Sequence, residues 1–139
     1  LIANYVLMDV EDLDAAVFAF HRVLKPKGIA VLVFSHPCFP QARKFTSKET
    51  GEICYAWKNN YFERTRCVDP PWNHFKCEFT WFHRPLSDYW KAFKTVGFMV
   101  TDFEEPRILE DKYEMVSNER MLESCVTRPF SVAFRLEKR

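Results

Sequence analysis

The sequence predicts an α/β fold built on a sheet with parallel strands. Its first 34 residues carry the order strand, amphipathic helix, tight turn and buried strand, which is a βαβ unit. A second helix and strand begin near position 86, and an alternating apolar pattern closes the chain. With 139 residues the chain is long enough for one domain and too short for two ordinary ones.

The βαβ unit begins with a short apolar segment at residues 1–7, followed by several acidic residues. Asp12 is the expected N-cap of the first helix. Apolar residues then recur at helical spacing: Leu13, Ala16, Val17, Phe20, Val23 and Leu24. Pro26 and Gly28 end this helix. Residues 29–34 are apolar without alternation, which is typical of a parallel strand buried on both faces.

A second helix is indicated by a stripe of apolar residues at helical spacing: Leu86, Tyr89, Trp90, Phe93 and Val96. Ser87 or Asp88 is the expected cap, and Gly97 ends the helix.

The remaining pattern predicts a strand at residues 98–103 and a short helix at residues 117–125. A last strand has apolar residues at alternate positions: Phe130, Val132, Phe134 and Leu136. Its place after a helix and a strand predicts an antiparallel hairpin at the edge of the sheet.

Residues 36–83 form an aromatic-rich insert between these two halves. Neither the helical nor the strand period persists in it, although residues 76–82 have the composition of a strand. The insert is too aromatic for a disordered linker, and a long insert in a compact domain usually serves a function. We expect it to be a lid over a binding site.

Composition argues against several classes of function. The net charge is +1, from 20 basic and 19 acidic residues, so nothing favours nucleic acid or an anionic membrane as a partner. Three glycines (Gly28, Gly51 and Gly97) are too far apart to form a phosphate-binding loop. No apolar run approaches the roughly 20 residues of a membrane span. Five cysteines without a C-x-x-C pair favour reduced thiols and a cytoplasmic location.

Several short segments carry a more specific pattern. They are NYVLMDV at positions 4–10, RVLKPKG at 22–28, HPCF at 36–39 and HRPLSDY at 83–89, followed by GF at 97–98, EP at 105–106 and PF at 129–130. In this order they resemble the small-molecule branch of class I S-adenosylmethionine-dependent methyltransferases. The resemblance covers most of the chain outside the insert. One departure is Lys27, which stands where that family often has glycine.

The resemblance implies a partial Rossmann-like sheet, made of the family's C-terminal strands in the order 4-5-7-6 with flanking helices. It also implies methyl transfer from S-adenosyl-L-methionine to a small-molecule acceptor. The family's Gly-rich turn and its acidic ribose-binding residue are absent from this sequence. We therefore expect the chain to be the C-terminal half of the enzyme, with about 90 residues, or three βα units, before Leu1. The alternative is a non-catalytic interaction or regulatory module that kept the fold without the cofactor half.

Ligands of open α/β sheets bind at the carboxyl ends of the strands. By resemblance, Ala3, Asn4 and Tyr5 border the methionine and adenine of the cofactor; otherwise Asn4 only ends the strand and Tyr5 packs beneath the helix. His36 follows the second buried strand and is the candidate general base, since histidine titrates near neutral pH. Alternatively it shapes its loop, because methyl transfer often needs only an aligned acceptor.

The acceptor is expected to bind aromatic and charged residues of the insert: His36, Phe39, Trp57, Tyr61, Trp72, His83 and Arg84. Further aromatic walls are Phe62, Trp81 and Phe82. Such walls suit an apolar or aromatic acceptor, or a cationic centre held by cation–π attraction. Alternatively they form the small core of the insert itself. His83 and Arg84 would bind an acidic group of the acceptor, or Arg84 would pair with a nearby glutamate at the surface.

Two other motifs point elsewhere. Positions 69–72 (DPPW) match the signature of adenine N6-methyltransferases, but that signature follows the fourth strand, whose place residues 4–7 already occupy. No apolar strand precedes Asp69. Cysteine and histidine residues that can be drawn as a zinc set lack the paired C-x₂₋₄-C spacing of structural zinc sites: Cys67, His74, Cys77 and His83. We expect neither a metal nor a nucleic-acid partner.

In this chain alone, the first strand should leave one edge of the sheet unpaired, where the family's missing first strand would otherwise lie. Because an unpaired apolar edge invites pairing with another chain, we expect a homodimer through this edge.

Overall fold

A βαβ unit opens the fold, as the sequence predicts. In the computed structural model, which describes residues 1–39, 43–56, 60–71, 76–116 and 119–139, strand β1 (Ile2–Asn4) leads into helix α1 (Leu13–Val23) and strand β2 (Ile29–Ser35). The two strands are parallel. Asp12 caps α1 as expected, since its Oδ1 accepts the backbone N–H of Ala15 at 2.8 Å.

Two antiparallel hairpins occupy the insert, where the sequence predicted only one strand. Strand β3 (Arg43–Thr46) pairs with β4 (Ile53–Ala56), and β5 (Thr65–Asp69) pairs with β6 (Phe79–His83). The expected strand at 76–82 corresponds to β6. Each hairpin is a separate two-stranded ribbon, and the residues of β5 and β6 are mostly half-buried or exposed. A sequence shows such strands poorly because neither face requires a run of apolar residues.

The second half of the chain adds helix α2 (Leu86–Thr95), strand β7 (Phe98–Glu104), a 3-10 helix (Glu110–Met115), helix α3 (Glu119–Thr127) and strand β8 (Ser131–Lys138). All of these except the 3-10 helix were expected. Across the described ranges, no helix is both long and apolar enough to cross a membrane.

The expected cap of α2 is wrong. Pro85 takes the N-cap position, with no side chain capping the helix. Because the helix already begins at Leu86, Ser87 and Asp88 lie inside its first turn, and the Asp88 carboxylate accepts a hydrogen bond from Nε of Arg64 at 2.7 Å.

The main sheet has the strand order β1-β2-β8-β7, which confirms the order predicted from the resemblance. β8 runs antiparallel to both of its neighbours, with Phe134 opposite Leu32 of β2. The expectation that β2 is buried on both faces is wrong, because its residues alternate between buried and half-buried. Both helices α1 and α2 contribute to the same buried cluster, which includes Val17 and Phe93, so the alternate residues of β2 are only partly covered.

The turn between α1 and β2 shows why glycine suits the position that Lys27 occupies. This residue has a φ of 62°, in the left-handed region that disfavours side chains. Its N–H donates to the carbonyl of Lys138 at 2.8 Å, which holds it in place against the end of β8. Gly28 is required by close approach, since a Cβ there would lie 2.7 Å from the carbonyl oxygen of Lys25.

We expect Lys27→Gly to raise the free energy of unfolding by about 0.5–1 kcal/mol. Relief of left-handed strain, about 1–2 kcal/mol, exceeds the entropy that glycine loses on folding, about 0.5–1 kcal/mol. Urea unfolding measures the change. The matched control Lys25→Gly, at a residue without a positive φ, should destabilise the chain. A destabilised Lys27→Gly variant would contradict this account of the turn.

Candidate active site

A cavity of about 510 Å³ opens where β1 and β2 end. On the side of the sheet it is lined by residues at or near the ends of strands and by one residue of α2: Tyr5, Met8, Ser35, Pro37, Phe130 and Tyr89. On the side of the insert it is lined by the β5–β6 hairpin and the residue that follows it: Asp69, Phe79, Trp81, Phe82 and Arg84. The cavity therefore lies at the edge where open α/β sheets bind ligands.

The hairpin is joined directly to the loop between β1 and α1. The backbone N–H of Phe82 donates to the carbonyl of Met8 at 2.7 Å, and both residues line the cavity. One segment of the insert thus forms a wall of the cavity.

Tyr5 is held in a strained conformation on the cavity wall. Its φ is 54°, which costs a residue with a side chain about 1–2 kcal/mol. Two anchors offset this cost: its backbone N–H donates to the carbonyl of Val33 at 2.7 Å, and its hydroxyl hydrogen-bonds the hydroxyl of Ser131. The aromatic ring is therefore fixed at the end of β1. Such strain tends to occur at functional sites.

Arg84 fastens the β1–α1 loop to the end of the hairpin. Its side chain is 6% exposed and donates to the backbone carbonyls of Leu7, Val10 and Glu11. The guanidinium carbon also lies 5.2 Å from the centre of the Phe82 ring, within cation–π range. Surface pairing with a glutamate, one of the two expected roles, is wrong because the side chain is buried and bonded to backbone carbonyls. Binding of an acidic acceptor group remains a prediction.

Tyr89 lies next to this arginine, and neither Tyr89 nor Asp9 had a role in the sequence-based site. Burial raises the pKa of Tyr89, although the neighbouring Arg84 guanidinium opposes the shift. Burial also raises the pKa of Asp9, whose Oδ1 is buried and has no hydrogen-bond partner within the described part of the chain. Asp9 and Arg84 shift the pKa of Tyr89 in opposite directions, since the guanidinium lowers it and the carboxylate raises it.

His36 is buried with both ring nitrogens in use. Nδ1 accepts the backbone N–H of Cys38 at 3.1 Å, so the proton of the neutral ring is on Nε2, which lies 3.0 Å from the Glu105 carboxylate. Burial lowers the pKa of His36, and the hydrogen bond and charge of Glu105 oppose this shift. Its neighbours Ser35 and Pro37 line the cavity, whereas His36 is not among the described lining residues. The general-base role remains a prediction.

The three predicted cofactor residues have different environments. Ala3 is buried in the core and lies opposite Leu32, whereas Asn4 is exposed at the end of β1. Tyr5 alone of the three lines the cavity.

The predicted acceptor residues divide into separate groups. Tyr61 and His83 meet outside the cavity, where the imidazole Nε2 lies 2.8 Å from the carbonyl of Tyr61, and the Tyr61 hydroxyl accepts the N–H of Leu86. Phe39 packs against His36 with ring centres 5.1 Å apart. The wall residues Trp81 and Phe82 do line the cavity, with Arg84. Trp57 and Trp72 lie outside the described residues.

The structure also shows where the residues of the DPPW motif and of the drawn zinc set lie. Asp69 is the last residue of a strand, β5, but this strand pairs with β6 and does not belong to the main sheet. The Asp69 carboxylate lines the cavity and accepts the indole N–H of Trp81 at 2.9 Å. Among the described residues, no group of three His, Cys, Asp or Glu side chains is placed to hold a metal ion; His74 of the zinc set lies outside them.

Replacement of Arg84 should loosen the wall of the cavity. We expect Arg84→Lys to lower the free energy of unfolding by about 2–3 kcal/mol, since one ammonium cannot reach all three carbonyls and buried acceptors lose their partners. The matched control Arg66→Lys, at an exposed arginine of β5, should change it by less than about 0.5 kcal/mol. Urea unfolding measures both. Similar small changes in the two variants would show that the loop does not depend on Arg84.

The environment of His36 predicts a dependence of stability on pH. Because its pKa is lowered from 6.5 in the folded chain, the unfolded chain binds the proton more readily. The free energy of unfolding should therefore fall as the pH decreases below 6.5. His36→Gln should remove this contribution, and Glu105→Gln should extend the loss to lower pH, since Glu105 raises the pKa. Urea unfolding at a series of pH values tests this; a slope unchanged by His36→Gln would contradict it.

No protein-family model matches this chain. No curated protein matches it either. Solved structures match it in fold. A candidate S-adenosylmethionine-dependent methyltransferase from Listeria monocytogenes aligns with a TM-score of 0.75 at 17% identity, over 99% of this chain and 60% of that protein.

Two further solved structures agree with this match. An S-adenosylmethionine-dependent methyltransferase from Mesorhizobium loti aligns with a TM-score of 0.77 at 18% identity, again over 99% of this chain and 60% of its own length. A glycopeptide N-methyltransferase complexed with S-adenosyl-L-methionine aligns with a TM-score of 0.55 at 9% identity, over 56% of its length. The chain spans about 60% of the length of the first two proteins. It has the fold of the class I S-adenosylmethionine-dependent methyltransferases, which confirms the resemblance in its sequence.

Proposed function

We propose that this chain forms the acceptor-binding side of an S-adenosylmethionine-dependent methyltransferase that acts on a small molecule. The observation that carries the proposal is the cavity of about 510 Å³, which lies at the carboxyl ends of β1 and β2 in a methyltransferase fold. Its volume suits a small organic ligand, and its walls are mainly aromatic.

The residues present fit part of the cofactor. Asn4 offers an exposed amide at the end of β1, and the strained Tyr5 places a fixed ring beside it. The chain has three separate glycines and therefore no Gly-rich turn for the methionine carboxylate. We propose that this turn belongs to a segment of the same protein before position 1, in agreement with the 60% of the neighbours' length that is matched.

The chain's own residues align the acceptor and exclude water from it. When bound, S-adenosyl-L-methionine supplies an electrophilic methyl group on a sulfonium centre. The aromatic wall formed by Phe79, Trp81 and Phe82 excludes water around an acceptor, and the fixed ring of Tyr5 limits its orientation. His36 is the candidate base, but to take a proton it must first release the N–H of Cys38, since Nε2 already carries one.

For the 139-residue chain without the preceding segment, the outer edge of β1 supports the proposal of a homodimer. Ile2 is 79% exposed, and in the described part of the chain β1 pairs only with β2. A second copy can satisfy the free backbone groups of this edge.

The five cysteines form no disulfide, which agrees with the proposed cytoplasmic location.

Calorimetric titration with S-adenosyl-L-methionine tests the function. The 139-residue chain alone should show no saturable binding, and the natural polypeptide that contains it should bind. In that polypeptide Asn4→Ala should weaken binding about tenfold, the equivalent of one lost hydrogen bond. The control Asn60→Ala changes an exposed amide in the insert and should have no effect.

Two outcomes would contradict the proposal in different ways. Micromolar binding by the chain alone would show that the cofactor site needs no further segment. Failure of the natural polypeptide to bind would favour the non-catalytic module.

A further inference from the structure

The one cation on the described cavity wall is already committed to the protein. Arg84 donates to the carbonyls of Leu7, Val10 and Glu11, and its guanidinium lowers the pKa of the neighbouring Tyr89. Of the five N–H donors of a guanidinium, few are left for a ligand. An anionic ligand would therefore have to compete with the contacts that hold the β1–α1 loop.

Apart from Arg84, Asp69 is the one lining residue, among those described, whose side chain carries a formal charge.

Asp69 lies among aromatic rings on one face of the β5–β6 hairpin. It is directly opposite Phe79 in the strand register, and Trp81 is two residues further along the same face. Its Oδ2 accepts the Trp81 indole N–H at 2.9 Å, which fixes both groups. No described residue donates to Oδ1. All three side chains line the cavity.

We propose that the cavity binds an acceptor that carries a protonated amine, with the ammonium held between Asp69 and the rings of Phe79 and Trp81. A carboxylate accepts the N–H groups of an ammonium, and aromatic faces attract its charge. The chain as a whole carries a net charge of +1, so this preference arises from the local arrangement. The proposal rests on the proposed function in taking the ligand to be the methyl acceptor, but amine binding itself requires neither cofactor nor methyl transfer.

The test uses three probes that share a phenyl ring and similar length: phenethylamine, 2-phenylethanol and 3-phenylpropionate, which are cationic, neutral and anionic at neutral pH. Each is titrated into the 139-residue chain by calorimetry. We expect phenethylamine to bind about tenfold more tightly than the alcohol, and the propionate to bind most weakly.

Asp69→Asn removes the charge while its amide oxygen can still accept the Trp81 indole N–H. This variant should reduce phenethylamine binding to the level of the alcohol and leave the alcohol unchanged. The control Asp111→Asn removes the same charge from the exposed 3-10 helix and should leave all three affinities unchanged. If Asp69→Asn does not fold, as judged by circular dichroism, Phe79→Leu provides a second test: it should weaken the amine several-fold more than the alcohol.

Equal or tighter binding of the alcohol or the propionate would overturn the proposal. So would phenethylamine binding that both Asp69→Asn and Phe79→Leu leave unchanged, or the absence of binding by all three probes. These results are independent of S-adenosyl-L-methionine, so the acceptor class can fail while cofactor binding by the natural polypeptide holds, and the reverse.

Discussion

The buried guanidinium of Arg84 joins the two parts of the molecule that make the cavity. The loop between β1 and α1 leaves the sheet, and its carbonyls need partners that strand pairing no longer provides. Arg84 supplies hydrogen bonds to three of them: Leu7, Val10 and Glu11. Because Arg84 directly follows β6, the same residue fixes the loop that carries Tyr5 and the hairpin that forms the opposite wall.

Two residues other than glycine have a left-handed φ in the described chain, one on each side of helix α1, and the consequences differ. Lys27 makes a turn in which glycine would fit better, and its side chain is exposed. Tyr5 has a comparable φ, but its ring lines the cavity and its hydroxyl meets Ser131 of β8. The strain at Tyr5 is therefore tied to the shape of the cavity, whereas the strain at Lys27 serves only the turn.

The sequence predicted the main sheet because its helices and buried strands have strong periodicity, and the resemblance supplied the strand order. It did not predict three of the four strands in the insert, since short half-exposed ribbons give little pattern. The role of Arg84 had no sequence signal either, because its partners are backbone carbonyls, which every residue possesses. Asp69 was set aside because its motif was compared with a strand of the main sheet. The structure places it on a separate hairpin that contributes to the same cavity.

The arrangement separates the residues that hold the fold from those proposed to contact the acceptor. The buried cluster is formed by the main sheet with α1 and α2. Its largest rings, such as Phe34, Phe93 and Phe134, are fully buried, and no described residue of the hairpins belongs to the cluster. The β5–β6 hairpin contributes mostly half-buried and exposed residues, which pack less tightly. Substitutions in cores cost most where side chains are fully enclosed, so the hairpin can change its charges and rings at little cost to the sheet. A shared methyltransferase sheet at 17–18% identity is therefore compatible with different acceptors, since the side chains proposed to contact the acceptor lie mainly outside the buried cluster.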